Sequence, residues 1–217
     1  MYIKELRERI QSVNVWSVLK NDMPRSNYAI ANRYSNHDSL DNCKLPRQDN
    51  ERFTYPCLIG EGVHGYAFDC GNDLVLKVTF DINEYKTAQK LKEEKLEGIV
   101  KIYDCFEINE EDDTYYCILE EKLDTQNIDI ADFILEFKHA WVLHKYNNKT
   151  INEAYRNNSE MINVVRNSIS EKHINTYDYF SKILMDLLEK IPSCEPDIQT
   201  SNIGLNALGE ITLFDIQ

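Results

Sequence analysis

At 217 residues the chain has the length of one domain, or of one domain divided into two lobes. Hydrophobic residues at 42% and aromatics at 11% supply a packed core and exclude wholesale disorder. Against 37 Asp and Glu stand only 24 Lys and Arg, and the formal charge of −13 argues against direct nucleic-acid binding or an anionic membrane surface, because phosphate binding draws its affinity from cations.

No apolar run approaches the length that crosses a bilayer, and the opening MYIKELRERI is amphipathic with mixed charge, unlike a signal peptide. Six cysteines (Cys43, Cys57, Cys70, Cys105, Cys117, Cys194) form no CxxC pair, so the expectation is buried free thiols in a reducing cytoplasm.

Residues 1–22 read as a helix, with Ile3, Leu6, Ile10 and Val13 at helical spacing. The Asn-, Ser- and Asp-rich stretch 23–50 reads as a loop. Strands are predicted over Phe53–Ile59, Tyr66–Cys70 and Leu74–Phe80, with Gly71-Asn72-Asp73 as a hairpin turn. A helix at 82–96 and strands Ile99–Ile108 and Thr114–Leu119 follow, separated by a solvated NEEDD turn. Beyond Asp124 the pattern is helical. One stripe is Ile130, Phe133, Ile134, Phe137, Trp141 and His144, and a second is Phe180, Ile183, Leu184, Leu187 and Leu188. Between them the Asn-rich 145–175 reads as part helix, part loop. Strands Ile203–Leu205 and Ile211–Phe214 close the chain around a turn at Gly209. Strands first and helices second predict an α+β fold in two lobes.

Gly60-Glu61-Gly62-Val63-His64-Gly65 is a GxGxxG. A dinucleotide fingerprint opens a helix, whereas this one leads into a strand and hairpin, so its backbone N–H groups suit a phosphate cradle between antiparallel strands. Alternation in the third strand puts Val75, Lys77 and Thr79 on one face and Leu74, Leu76, Val78 and Phe80 on the other. A Lys within so apolar a strand either meets an anion or snorkels to water from an edge. On the following helix Tyr85, Ile82, Ala88, Leu91 and Leu96 define an apolar arc. Glu84 falls inside it, which makes it the expected partner of Lys77, with Glu93 as the alternative. Near the C-terminus, Asp197 precedes Asn202 by five residues, and Asp215 follows thirteen after Asn202 across a short hairpin. Each of these polar residues, taken singly, suits a turn or cap.

Taken in order, the five elements resemble the protein kinase-like superfamily over about residues 53–217, closest to small divergent bacterial or phage kinase-like proteins. After the N-terminal helix and polar linker (1–52), the resemblance implies an antiparallel-sheet N-lobe (53–123) and a helical C-lobe (124–217) ending at the metal-binding Asp. It implies ATP and Mg²⁺ as cofactors. Gly60, Gly62 and Gly65 would cover the phosphates, Ile59 and Ala67 would flank the nucleotide, Val75 would line the adenine pocket, and backbone around Glu120 and Lys122 would meet the adenine edge. Lys77, held by Glu84, would grip the phosphates, Asn202 and Asp215 would hold the metal, and Asp197 would accept the substrate hydroxyl proton.

Departures from the family accompany the matches. Glu195-Pro196 stands where the family has His-Arg, Gln199 where many members carry a Lys, and Ile-Gln follows Asp215 in place of Phe-Gly. No activation segment, Ala-Pro-Glu motif or later substrate-docking helices follow Asp215. The expectation is a minimal kinase acting on a protein hydroxyl with partner assistance. The alternatives are a pseudokinase that binds a host protein, and a small-molecule phosphotransferase. With the later helices missing, the two C-lobe stripes are expected to pack on each other and on the N-terminal helix through Leu6, Ile10 and Val13. What stays exposed would serve a homodimer or a docked host protein.

Overall fold

In the computed structural model of the chain, the described residues are 2–23, 56–62, 65–110, 113–143, 153, 155, 159–194, 196–214 and 216. The architecture is mixed α+β, in two compact units, Met1–Asp81 with Tyr103–Glu120 and Ile82–Ile102 with Glu121–Gln217.

The first unit is built on the five-stranded sheet β1 (Cys57–Glu61), β2 (Gly65–Gly71), β3 (Leu74–Thr79), β4 (Ile102–Asn109) and β5 (Thr114–Glu121), in spatial order β1-β2-β3-β5-β4. Both hairpins β1–β2 and β2–β3 are antiparallel. The tight turn between β2 and β3 puts Asn72 and Asp73 at φ 50° and 57°, the left-handed conformation that Asn and Asp tolerate best among residues with a Cβ.

Alternation then divides the sheet. Tyr66, Phe68, Cys70, Leu74, Leu76, Val78, Phe106, Tyr115, Cys117 and Leu119 form one continuous buried layer with Leu6, Ile10, Val15, Trp16, Leu19 and Met23. The helices α1 (Tyr2–Ile10) and α2 (Val13–Asp22) therefore lie on that face. The single helix expected over 1–22 is broken at Gln11-Ser12, which lets two short apolar stripes follow the twisted sheet. Fully burying each of Leu6, Ile10 and Leu19 is worth about 1.5–3 kcal/mol. At the rim Arg7 pairs with Asp104 at 3.3 Å and stands over Phe106, while Trp16 Nε1 donates to Glu110 at 2.9 Å and Lys20 pairs with the same carboxylate. The Lys20 hydrogen bond holds the Glu110 carboxyl below the usual range. Leu6 and Ile10, expected to meet the C-lobe stripes, belong to this buried layer of the first unit. Val13, the third residue of that expectation, has its side chain outside the described residues.

The second unit contains α3 (Ile82–Glu94), α4 (Ile128–Leu143), α5 (Ser159–Arg166), α6 (Ile174–Lys190) and the antiparallel hairpin β6 (Ile203–Leu205)–β7 (Ile211–Leu213). Phe133, Ile134, Phe137 and Trp141 of α4 are buried, as are Phe180, Ile183, Leu184, Leu187 and Leu188 of α6. The two stripes meet through Phe180, edge-on to Phe133 at 5.5 Å and to Phe137 at 5.3 Å. His144 lies outside the described residues. A polar clasp binds the same two helices. Glu136 of α4 accepts from Ser170 N at 2.6 Å and Ser170 Oγ at 3.0 Å and is hydrogen-bonded to His173 Nδ1. Burial works to raise the Glu136 pKa, but these hydrogen bonds outweigh it and hold the carboxyl below its ordinary value.

Several expected boundaries move. Ile99 and Val100 were expected to begin a strand of the larger sheet; instead they join the tail hairpin, Val100 N donating to Leu213 O at 2.8 Å and Leu213 N to Gly98 O at 2.9 Å. Gly98 has φ 71°, and a Cβ there would come within 2.2 Å of Ile183 Cδ1, so only glycine fits. Ile82, expected on the apolar arc of α3, is 43% exposed, because the helix begins there and the buried face starts at Glu84 and Tyr85. Phe80 is 51% exposed beyond the end of β3 but still packs on Tyr115, with centroids 5.5 Å apart. Helix α5, hidden in the Asn-rich stretch, buries Val165.

Among the described residues no helix is long and apolar enough to cross a membrane. Of the cysteines, Cys70, Cys117 and Cys194 are buried free thiols and Cys57 and Cys105 are half-buried, while Cys43 lies outside the described residues. Burial pushes the Cys70 thiol up to about 12 and raises that of Cys117. Since the thiolate is the nucleophile, both are expected to resist a thiol reagent at pH 8 in the native protein and to react on unfolding; native labelling at the rate of a free thiol would refute this burial.

Candidate functional site

The residues singled out from the sequence fall on both units, and each group is built by its own unit.

In the first unit, the pairs Ala67↔Lys77 and Asp69↔Val75 put Ala67, Val75 and Lys77 on one sheet face. Their chain neighbours Phe68, Leu76 and Val78 belong to the layer under α1 and α2, so Lys77 is on the face opposite those helices. Glu120, next to Leu119 of that layer, shares the Lys77 face and is buried. Lys77 is half-buried, Ala67 half-buried and Val75 buried. The glycine-rich segment bridges β1 and β2. Gly62 N donates to Gly65 O at 2.9 Å, and a register shift between Leu58 and Gly60 puts Ile59 at an irregularity of β1, 47% exposed. Glycine at 65 is required by close approach, since a Cβ there would lie 2.2 Å from Val78 O and 3.0 Å from Thr79 Cα. Gly60 has room, its nearest neighbour being Ala67 Cβ at 3.8 Å. Val63 and His64 lie outside the described residues.

In the second unit, Glu84 is 4% exposed on the buried face of α3, and Glu93 is exposed. Lys122 is exposed just past β5. The most developed local geometry runs from Asp197 to Phe214. After α6 ends at Lys190, the chain turns so that Gln199 N donates to Asp197 O and Asn202 N to Gln199 O, each at 3.0 Å. Buried Asn202 directs Nδ2 to the Asp197 backbone oxygen at 3.1 Å and to Asp197 Oδ2 at 3.0 Å. Gln199 Nε2 donates to the same Oδ2 at 2.6 Å. No described residue donates to Asp197 Oδ1, and the residue itself is exposed. One carboxylate oxygen is thus held by two neutral amides.

The β6–β7 hairpin returns the chain to this turn. Phe214 N donates to Asn202 O at 3.0 Å, and Ile216 bridges to Pro196. The hairpin is anchored in turn by Asp124, which exchanges two 2.9 Å backbone hydrogen bonds with Leu205. The expected metal ligand Asp215 lies outside the described residues, as does Glu195. Asn202 Oδ1 accepts from Ser201 Oγ at 3.0 Å. Among the described residues no group of three or more His, Cys, Asp or Glu is arranged to hold a metal ion.

Gln199 is the residue whose role sequence reasoning missed. It read as a lost cation, whereas the structure makes it a donor to Asp197. An amide two residues from a carboxylate in a turn is the signal that could have found it. Compared with known proteins, the sequence matches no family model and no curated protein sequence.

Proposed function

We propose that the chain is a minimal ATP-dependent phosphotransferase of two-lobed, protein kinase-like fold that acts on a protein hydroxyl with partner assistance. The observation that carries the reading is the turn in which Gln199 and Asn202 hold Asp197 Oδ2 while no described residue donates to Oδ1. Lys77, Ala67, Val75 and Glu120 on one sheet face beside a glycine-rich connection support it.

In this reading the glycine-loop N–H groups and Lys77 bind the ATP phosphates. Ile59, Ala67 and Val75 flank the base, and backbone around Glu120 and Lys122 meets its edge. Asn202 and Asp215 would hold Mg²⁺, which would offset phosphate charge. The substrate oxygen bonds to the γ-phosphorus, the bond to the β–γ bridging oxygen breaks, ADP leaves, and the hydroxyl proton passes to Asp197 Oδ1.

One observation favours a catalytically weak, pseudokinase reading. Position 199 carries a neutral amide engaged with Asp197, where a cation would meet the transferred phosphoryl group.

Thermal unfolding with and without Mg-ATP, beside transfer of labelled γ-phosphate to lysate proteins, separates the two. A ligand that binds only the native state stabilises it by about 2.7 kcal/mol at about a hundred times its Kd, a rise of roughly 5–10 °C for a chain of this size. Lys77→Ala is expected to remove most of that rise. An unmoved melting temperature at saturating Mg-ATP refutes nucleotide binding, and a rise without transfer selects the pseudokinase reading.

A further inference from the structure

Helix α4 buries Phe133, Ile134, Phe137, Ala140 and Trp141 and leaves large apolar side chains on its other side: Ile128 is 75% exposed, Leu135 61% and Val142 68%. These three are seven residues apart, so at 3.6 residues per turn they stay within about 20° of one line along the helix. Such a stripe supplies one of the two apolar positions per heptad that a seam between two helices uses.

The charges beside the stripe determine which partner fits. Asp132 and Lys138, both exposed, stand three residues before and three residues after Leu135. Lys138 makes no ion pair among the described residues. Asp132 is 3.9 Å from Lys172, whose nearer partner is Asp129 at 3.0 Å. If a second α4 is laid antiparallel across the first with Leu135 on the two-fold axis, Leu135 meets itself. Ile128 then meets Val142, and Asp132 meets Lys138, each twice. Half-buried Ala131 falls opposite His139 and leaves room for its ring. A parallel pairing would set Asp132 against Asp132 and Lys138 against Lys138.

We propose that this face of α4 is the interface of a two-fold symmetric homodimer in which α4 pairs antiparallel with the α4 of a second copy. The contact is isologous, one self-complementary patch used twice, and such contacts close at two copies. It does not depend on the phosphotransferase reading.

Sedimentation equilibrium of the full chain over a micromolar concentration series tests it. The wild type is expected at twice the mass of one chain. Leu135→Asp removes two mutually buried leucines and should raise the dissociation constant at least about a hundredfold. Asp132→Lys and Lys138→Asp should each weaken the dimer about tenfold, because each sets like charges together at two places. The double reversal Asp132→Lys with Lys138→Asp recreates both pairs and should restore wild-type association, which separates pairing from any effect on folding. A wild type that is monomeric throughout overturns the proposal and leaves the stripe to a different partner. A dimer that survives Leu135→Asp, or a double reversal no better than the single ones, overturns it equally.

Discussion

Asp197→Asn is expected to lower phosphoryl transfer by about a hundredfold to ten-thousandfold, the range that general-base assistance contributes. The substituted side chain retains an oxygen that can accept hydrogen bonds from Gln199 and Asn202, so the turn is expected to survive. What it loses is the carboxylate oxygen that no described residue occupies, and with it the place for the substrate proton. Melting temperature and Mg-ATP binding should therefore stay near wild type while turnover falls. Gln199→Ala tests the positioning arm separately. With the 2.6 Å hydrogen bond gone, Asp197 keeps the Asn202 amide and its charge. Turnover should fall about tenfold, about 1.4 kcal/mol, with the KM for ATP unchanged, because the hydrogen bond positions the base and does not touch ATP. A rise in KM with turnover unchanged would reassign Gln199 to ground-state binding. Transfer by Asp197→Asn at the wild-type rate would remove Asp197 from the chemistry.

Phe180→Ala is expected to give the largest loss of stability, about 3–5 kcal/mol. The ring is completely buried and stands edge-on to both Phe133 and Phe137. Its removal takes away transfer energy and two aromatic contacts, and it opens a cavity between helices that the Glu136–Ser170–His173 clasp keeps from closing. Helix α6 ends seven residues before Asp197, so the same change should reduce transfer by loosening the base of the turn. Chemical denaturation followed by circular dichroism measures the first effect. A loss below about 1 kcal/mol would mean that the helices re-close over the gap.

Much of this architecture was legible in the linear sequence because local periodicity carries it. The two-residue alternation in Leu74–Thr79 marks a strand, and the three- and four-residue spacing of Phe180, Ile183, Leu184, Leu187 and Leu188 marks a helix with one buried face. The Asn72-Asp73 turn declares itself through a left-handed backbone that few residues with a Cβ tolerate, and glycine at 65 answers to its close approach to Val78 O. Glu84 could be assigned to the buried side of its helix from angular arithmetic alone.

Contacts between distant segments depend on shape, and no local pattern encodes them. Leu6 and Ile10 advertise an apolar stripe, but only the tertiary fold decides that the stripe meets Phe68, Leu76 and Leu119. Ile99 and Val100 have strand composition, yet they pair with Leu213 because Gly98 lets the chain pass close to Ile183. Gln199 is one amide among many polar residues until the turn brings its nitrogen to Asp197, and then it holds a carboxylate. Residue types and their periods determined the elements and which faces must be buried. The fold decided which buried face meets which, because hydrophobic burial rewards the removal of apolar area from water without naming the partner that removes it.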